Sequence, residues 1–341
     1  MFPCLTSGLK VDKLNAKDFK EDVMQADMTF GTLSAKRGEK VCTEWQIEQA
    51  GFSIPATLIC GNRSGKTVLI TGGIHSCEYV GIQAAIELSQ KLKPEQVCGT
   101  VLLLHPVNRF GFEARTPSIV PQDGCNLNRE FPGKPDGSLT QRLAYFLTQQ
   151  LYPKLDAYID LHCGEMFESL TPYVYYAGAG TEQTTQHSRR MAELVSVPYM
   201  VQSQAVSGAY NCAGLMGIPS ILIERGCQGM WTQQQVQEDV DDVLRILAHL
   251  GVVDSAPEQK EHPNEVTDLI YQMPQSEGLW YPQVREGEFV KAGQQIGVIR
   301  DYWGNELSCY HAPYDGVVLY LTHALWVDGK VEIYTVARKP D

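Results

Sequence analysis

The 341-residue chain has no cluster of basic side chains: its 28 Lys and Arg are outnumbered by 40 Asp and Glu, a formal net charge of −12. Gripping phosphates takes grouped cations, so nucleic acid and anionic membrane surfaces are excluded as expected partners. No stretch approaches the roughly 18 consecutive apolar residues that would span a bilayer. Met1 to Lys10 carries no apolar core of signal-peptide length. The ten cysteines stand singly, with no Cys-x-x-Cys pair, which argues against a zinc ribbon, a thioredoxin motif or a disulfide scaffold. Free thiols and a cytoplasmic location are the expectation. With 43% hydrophobic and 20% charged residues the chain can bury a sizeable core. Its length suits one large domain and one small one.

Residues 1–40 are weakly patterned and read as a partly helical extension. From Lys40 onward Val41–Gln49 and Ser53–Cys60 are rich in strand formers, and the segment 61–65 is a turn. The short apolar runs Thr67–Thr71, Thr100–His105, Tyr158–Leu161 and Ser220–Ile223 read as strands covered on both faces. Helical periodicity runs from Glu78 to Lys91, with Val80, Ala84, Ala85 and Leu88 on one stripe, and recurs over 138–151, 182–195 and 233–250. This alternation predicts an α/β domain over residues 41–252 with a mainly parallel sheet. Residues 252–264 are polar, aperiodic and contain two prolines, as a linker does. Residues 265–341 show short strands, frequent glycine and no helical period, which predicts a small all-β unit.

Four polar groupings interrupt the apolar pattern. His75 and Glu78 follow the Thr67–Thr71 strand, at the carboxyl end where open α/β sheets bind ligands. Their spacing lets both point at one centre, and both side-chain types bind zinc. Taken alone, the spacing is a weak signal, and a helix N-cap with an ordinary polar pair is the better reading. His162 ends another apolar strand and supplies a third ligand type, with Asp160 placed to orient its ring; alone, it reads as a hydrogen-bonded core histidine. Asn128 and Arg129 stand in a polar loop, where arginine can bind a carboxylate through two parallel hydrogen bonds. Arg115 lies upstream and suits an oxyanion or the surface. Glu224 follows Ile221-Leu222-Ile223, and a carboxylate there suits a general base or a strand-ending surface residue.

Together and in this order, GGIHSCEYVG (72–81), DGCNLNREFPG (123–133), DLHCGE (160–165) and ILIERG (221–226) resemble the succinylglutamate desuccinylase/aspartoacylase family of the zinc carboxypeptidase superfamily. The likeness covers residues 40–250. It implies a zinc-carboxypeptidase-like mixed sheet flanked by helices, with a zinc-dependent catalytic domain over 41–252. It implies one zinc per chain held by His75, Glu78 and His162, with Glu224 as general base and acid. It places Asn128 and Arg129 on a substrate carboxylate and Arg115 on the oxyanion. The activity implied is hydrolysis of the amide bond of a small N-acyl amino acid. Trimming of a terminal or γ-linked amino acid by a carboxypeptidase-type enzyme is the neighbouring reading. VREGEFVKAGQQIG (284–297) and APYDGVVL (312–319) resemble the barrel-sandwich of biotinyl and lipoyl domains. The hairpin between them, Asp301–Asn305, lacks the carrier lysine, so no attached prosthetic group is expected. A homo-oligomer is compatible with the sequence, and no motif specifies one.

Overall fold

A computed structural model describes residues 26–338. Most of the expected N-terminal extension, residues 1–25, lies outside the described residues. Its described part is not helical. Met28–Phe30 and Leu33–Ala35 pair as an antiparallel hairpin. Phe30, Leu33 and Ala35 are buried, and this near-alternation suits a hairpin laid on a sheet face better than a helix.

The centre is a nine-stranded sheet, with strands β1 (Glu39–Ile47), β2 (Phe52–Cys60), β3 (Arg63–Gly72), β4 (Cys98–Leu104), β5 (Ala157–His162), β6 (Tyr173–Ala177), β7 (Tyr199–Ser203), β8 (Ser220–Glu224) and β9 (Asn264–Val266). Their order across the sheet is β9-β7-β6-β8-β5-β3-β4-β2-β1. The run β8-β5-β3-β4 is parallel. The sheet becomes mixed where β6 runs against β8 and where β1 and β2 close one edge as an antiparallel pair on β4. Strand β5 is buried at every position, as the apolar runs predict for a strand covered on both sides. Sequence periodicity did not reveal β6 and β7, because the tyrosine-rich segment Tyr173–Ala177 alternates with neither period.

Helices cover both faces. On one side α1 (Tyr79–Lys91), α4 (Glu182–Ala192) and α6 (Gln233–His249) bury Val80, Leu88, Met191, Val236, Val243 and Leu247 against β3, β5 and β8. On the other, α3 (Leu139–Phe146) and α5 (Ala209–Leu215) pack with Leu58, Leu69, Leu102 and Leu222. A short helix α2 (Arg109–Ala114) follows β4.

Beyond β9 the chain forms two facing sheets. Leu269–Gln272, Phe289–Val290, Gly316–Thr322 and Tyr334–Arg338 lie in one, and Gly278–Pro282, Gln295–Arg300, Glu306–His311 and Trp326–Val327 in the other. They enclose Trp280, Val290, Ile296, Ile299, Val318 and Val336. The two parts of the chain exchange strands. Glu168–Leu170 joins the first small sheet, pairing Glu168 with Thr322 and Leu170 with Tyr320. In return β9, at the end of the linker-like segment, joins the large sheet beside β7.

Candidate active site

Parallel strands in register end at one level, and that level builds the site. Thr71 of β3 is the register partner of Asp160 in β5, and His162 of β5 is the partner of Glu224 in β8. The turn after β3 carries His75, and Glu78 is the N-cap residue of α1. Close backbone approach brings that helix start onto the sheet. A Cβ on Gly72 would lie 2.5 Å from the Gly81 carbonyl oxygen, and a Cβ on Gly81 would lie 2.6 Å from Leu161. The glycines of GGIHSCEYVG are therefore a steric condition for placing Glu78 beside His162.

The three ligand-type side chains converge. His75 Nδ1 is 2.7 Å from Glu78 Oε1, and His162 Nδ1 is 2.8 Å from Glu78 Oε2. The two imidazoles stand edge-on with centroids 5.0 Å apart. Ligand atoms of His75, Glu78 and His162 lie within 4.8 Å of one another, so these three residues could hold a metal ion. The Cys163 amide donates to Glu78 Oε2 at 3.2 Å. The outer partners are equally specific. Thr71 Oγ1 donates to Asp160 Oδ1 at 2.6 Å and lies 2.7 Å from the Tyr158 hydroxyl. Asp160 Oδ2 is 3.2 Å from His162 Nε2, and neither atom completes a hydrogen bond in this alignment. Such carboxylate–histidine pairs set the tautomer and orientation of a metal ligand.

The electrostatics are tightly opposed. Burial works against the charge on Glu78, but the flanking His162 and His75 hold its carboxyl down to about 2. Burial also works against a charged His162, and the Glu78 and Asp160 carboxylates overcome it, raising its pKa well above the usual value. Glu224 is raised well above the carboxylate range by burial and by the Glu78 charge, and its Oε2 is buried without a hydrogen-bond partner. That environment suits a group that takes up and returns a proton. Cys77 and Cys163, next to Glu78 and His162, are buried thiols whose pKa values burial raises, that of Cys77 to about 12. A thiol so raised is no nucleophile at neutral pH.

The remaining residues expected at the site take different positions. Asn128 is buried, and its Oδ1 accepts the Ala209 amide at 2.8 Å, holding the start of α5. Arg129 is exposed at the end of the 3-10 turn Leu127–Arg129. Arg115 is exposed as the left-handed C-cap of α2. The loop that follows Arg115 is stitched to the ligand turn by Ser76 Oγ donating to the Thr116 carbonyl at 2.6 Å and by the Cys77 amide donating to that of Pro117. Two contributors escaped the sequence reading. Asn126 places Oδ1 3.1 Å from His75 Nε2. It lies in the motif that supplied Asn128, so its signal was present. Thr71 acts through its register with Asp160, which only strand pairing reveals.

Among the described residues no helix is long and apolar enough to cross a membrane. Residues 64–250 match the succinylglutamate desuccinylase/aspartoacylase catalytic domain. The chain is 29% identical over 274 residues to an N-alpha-acetyl-L-2,4-diaminobutyric acid deacetylase of Halomonas elongata, covering 78% of this chain and 80% of that relative. Its fold is similar to a succinylglutamate desuccinylase/aspartoacylase from Rhodobacter sphaeroides, with a TM-score of 0.79, 27% identity, and coverage of 93% of this chain and 99% of that one. It is similar in fold to the product-bound ectoine utilization protein EutE (DoeB) from Ruegeria pomeroyi, with a TM-score of 0.76, 23% identity, and coverage of 88% and 93%. The ordered motifs, the convergent His-Glu-His set and the domain match place this chain in the succinylglutamate desuccinylase/aspartoacylase family.

Proposed function

We propose that this protein is a zinc-dependent amide hydrolase that removes the acyl group from a small N-acyl amino acid. The observation that carries the reading is the pairing of His162 with Glu224 across β5 and β8, which joins a two-imidazole, one-carboxylate donor set to a carboxylate that keeps one buried, unpartnered oxygen. Three protein donors of these types fit zinc and leave a coordination position open. When bound there, zinc supplies a Lewis acid that polarises a carbonyl and acidifies water. Glu224 takes the proton of the attacking water and returns it to the leaving nitrogen. Arg129 and Asn128 orient the substrate through its carboxylate. Arg115 serves the developing oxyanion. The C-terminal unit, over its described residues 265–338, is of biotinyl and lipoyl barrel-sandwich type without the carrier lysine and shields the mouth of the site. The cysteines of the described residues are unpaired, which goes with a cytoplasmic location.

Metal analysis joined to an amine-release screen tests this. The panel is N-acetyl and N-succinyl amino acids, including the diaminobutyrate derivative named for the Halomonas relative, and short peptides. The expected result is one zinc per chain and amine release from an N-acyl amino acid, abolished by a chelator and restored by zinc. Absence of bound zinc overturns the metal assignment, and release from peptides alone replaces deacylation with carboxypeptidase-type trimming.

A further inference from the structure

The hairpin Asp301–Asn305, which lacks the carrier lysine, takes no part in the proposed chemistry and yet is rigidly built. Asp301 Oδ1 accepts the Trp303 amide at 2.9 Å and the Asn305 amide at 2.8 Å, and Asn305 Nδ2 donates to Asp301 Oδ2 at 2.8 Å. An aspartate that closes its own turn holds the loop in one shape. That loop presents Tyr302 and Trp303, which are 71% and 84% exposed. Tyr302 stacks on Trp326 of the strand Trp326–Val327, with ring centroids 5.6 Å apart and planes 11° apart.

Strand pairing joins this tip to the outer face of the small sheet. In Gly278–Pro282, Trp280 points into the sandwich, so Leu279 and Tyr281 point out. Leu279 is the register partner of Trp326 on one side and of Arg300 on the other, and Arg300 is the partner of Glu306. The Arg300 guanidinium lies over the Tyr281 ring, 5.6 Å from its centroid. Tyr281, Arg300, Glu306 and Trp326 are all exposed. With Tyr302 and Trp303 they make one patch of aromatic and arginine side chains, the types enriched where proteins associate.

The four exposed aromatic side chains leave on the order of 500 Å² uncovered, taking roughly 200–250 Å² for each when whole. That is at the upper end of the ~300–600 Å² of the largest apolar patch on a typical monomer. With Arg300, Glu306 and the half-buried Leu279 the face approaches the ~800 Å² per partner of a standard interface. Its charges point to what covers it. Arg300 and Glu306 form no ion pair among the described residues, and Asp301 is engaged in its own turn. An unpaired cation beside an unpaired anion complements a second copy turned about a two-fold axis, where each Arg300 meets Glu306 of the other copy. Elsewhere a chain of net charge −12 repels its own kind. We infer that this face is the contact surface of a homodimer, in which two chains pack the outer faces of their C-terminal sheets together with Tyr302 and Trp303 as anchors. The inference stands independently of the deacylase reading.

Sedimentation velocity on the full-length chain over a concentration series reads the oligomeric state. The wild type is expected to sediment with twice the mass of one chain. Replacing both Tyr302→Ser and Trp303→Ser weakens the dimer at least ~10-fold, with circular dichroism unchanged because both side chains face solvent. Arg300→Glu and Glu306→Arg each shift the protein toward monomer, since each change sets like charges together twice in the symmetric pair. Mixing the two charge variants restores a dimer, each copy then supplying the charge that the other lacks. A wild type that stays monomeric at every concentration up to ~100 μM overturns the inference. So does a dimer that loses nothing when Tyr302 and Trp303 are replaced, because its contact lies on another face. A mixture of the charge variants no more dimeric than either alone overturns it as well, because the contact is then not self-complementary.

Discussion

Glu224 and Arg225 are neighbours at the end of β8, both ionisable and both turned toward the interior, yet they enter opposite environments. Arg225 is 1% exposed and turns to α6. Its guanidinium pairs with Asp239, with Asp242 at 2.7 Å and with Glu238 at 3.3 Å, and it donates to the Ser196 carbonyl at 3.0 Å. Asp242 is shared with Arg245 and also accepts the Ser196 amide. On the other side Glu224 faces Glu78, Glu168 and Asp160, with His162 as its main relief, and one of its oxygens has no partner. Burial is common to the two sites and satisfaction is not. A buried charge that is paired and hydrogen-bonded anchors an element, whereas one set among like charges is costly and marks a group held for chemistry.

The largest expected effect tests the proposed chemical side. Glu224→Gln should cut amine release by about 10²–10⁴-fold. Zinc content should stay unchanged, and the melting temperature should hold or rise, since a carboxyl with an unpartnered oxygen beside Glu78 gives way to a neutral amide. A fall in melting temperature with loss of zinc would make Glu224 a structural partner and erase the contrast with Arg225. Next in size is Arg225→Met, which strands Asp239 in the core and leaves Asp242 to Arg245 and the Ser196 amide. It should cost about 3–5 kcal/mol by denaturant titration, and near-wild-type stability would show that the α6 cluster does not anchor β8.

The smallest effect concerns the weakest member of the paired side. Asp239 shares Arg225 with two other carboxylates, and its Oδ2 lacks a partner. Burial outweighs Arg225 and pushes its carboxyl from 3.8 up to about 7. The folded state thus holds this proton more tightly than the unfolded chain. The stability it contributes is complete below 3.8 and is lost as pH rises through about 7. Stability measured across that window should fall less steeply in Asp239→Asn than in the wild type. Identical slopes would mean that Arg225 keeps Asp239 charged throughout.

The sequence was informative where chemistry is local. His75 and Glu78 lie on one turn, and Asp160 and His162 on one strand end, so each pair falls within one short motif, and the order of the four motifs marks them. The apolar runs of β3, β4, β5 and β8 are plain for a related reason: a strand covered on both faces excludes polar residues along its length. Strands β6 and β7 were hidden because their burial comes from neighbours far along the chain, and the pairing of Glu168–Leu170 with Gly316–Thr322 spans about 150 residues. The hairpin at 28–35 escaped because two three-residue strands are too short to display a period.

The sequence by itself determined the proposed metal ligands, the proposed base, the family and the change of texture beyond residue 252, because each is written in consecutive residues whose chemistry constrains them. Only the tertiary structure decided that Glu224 stands in register with His162 while Arg225 is locked to α6. It alone paired Glu168 with Thr322, across the two parts of the chain. Such meetings depend on strand order and on the docking of two sheets, and local periodicity carries no record of either.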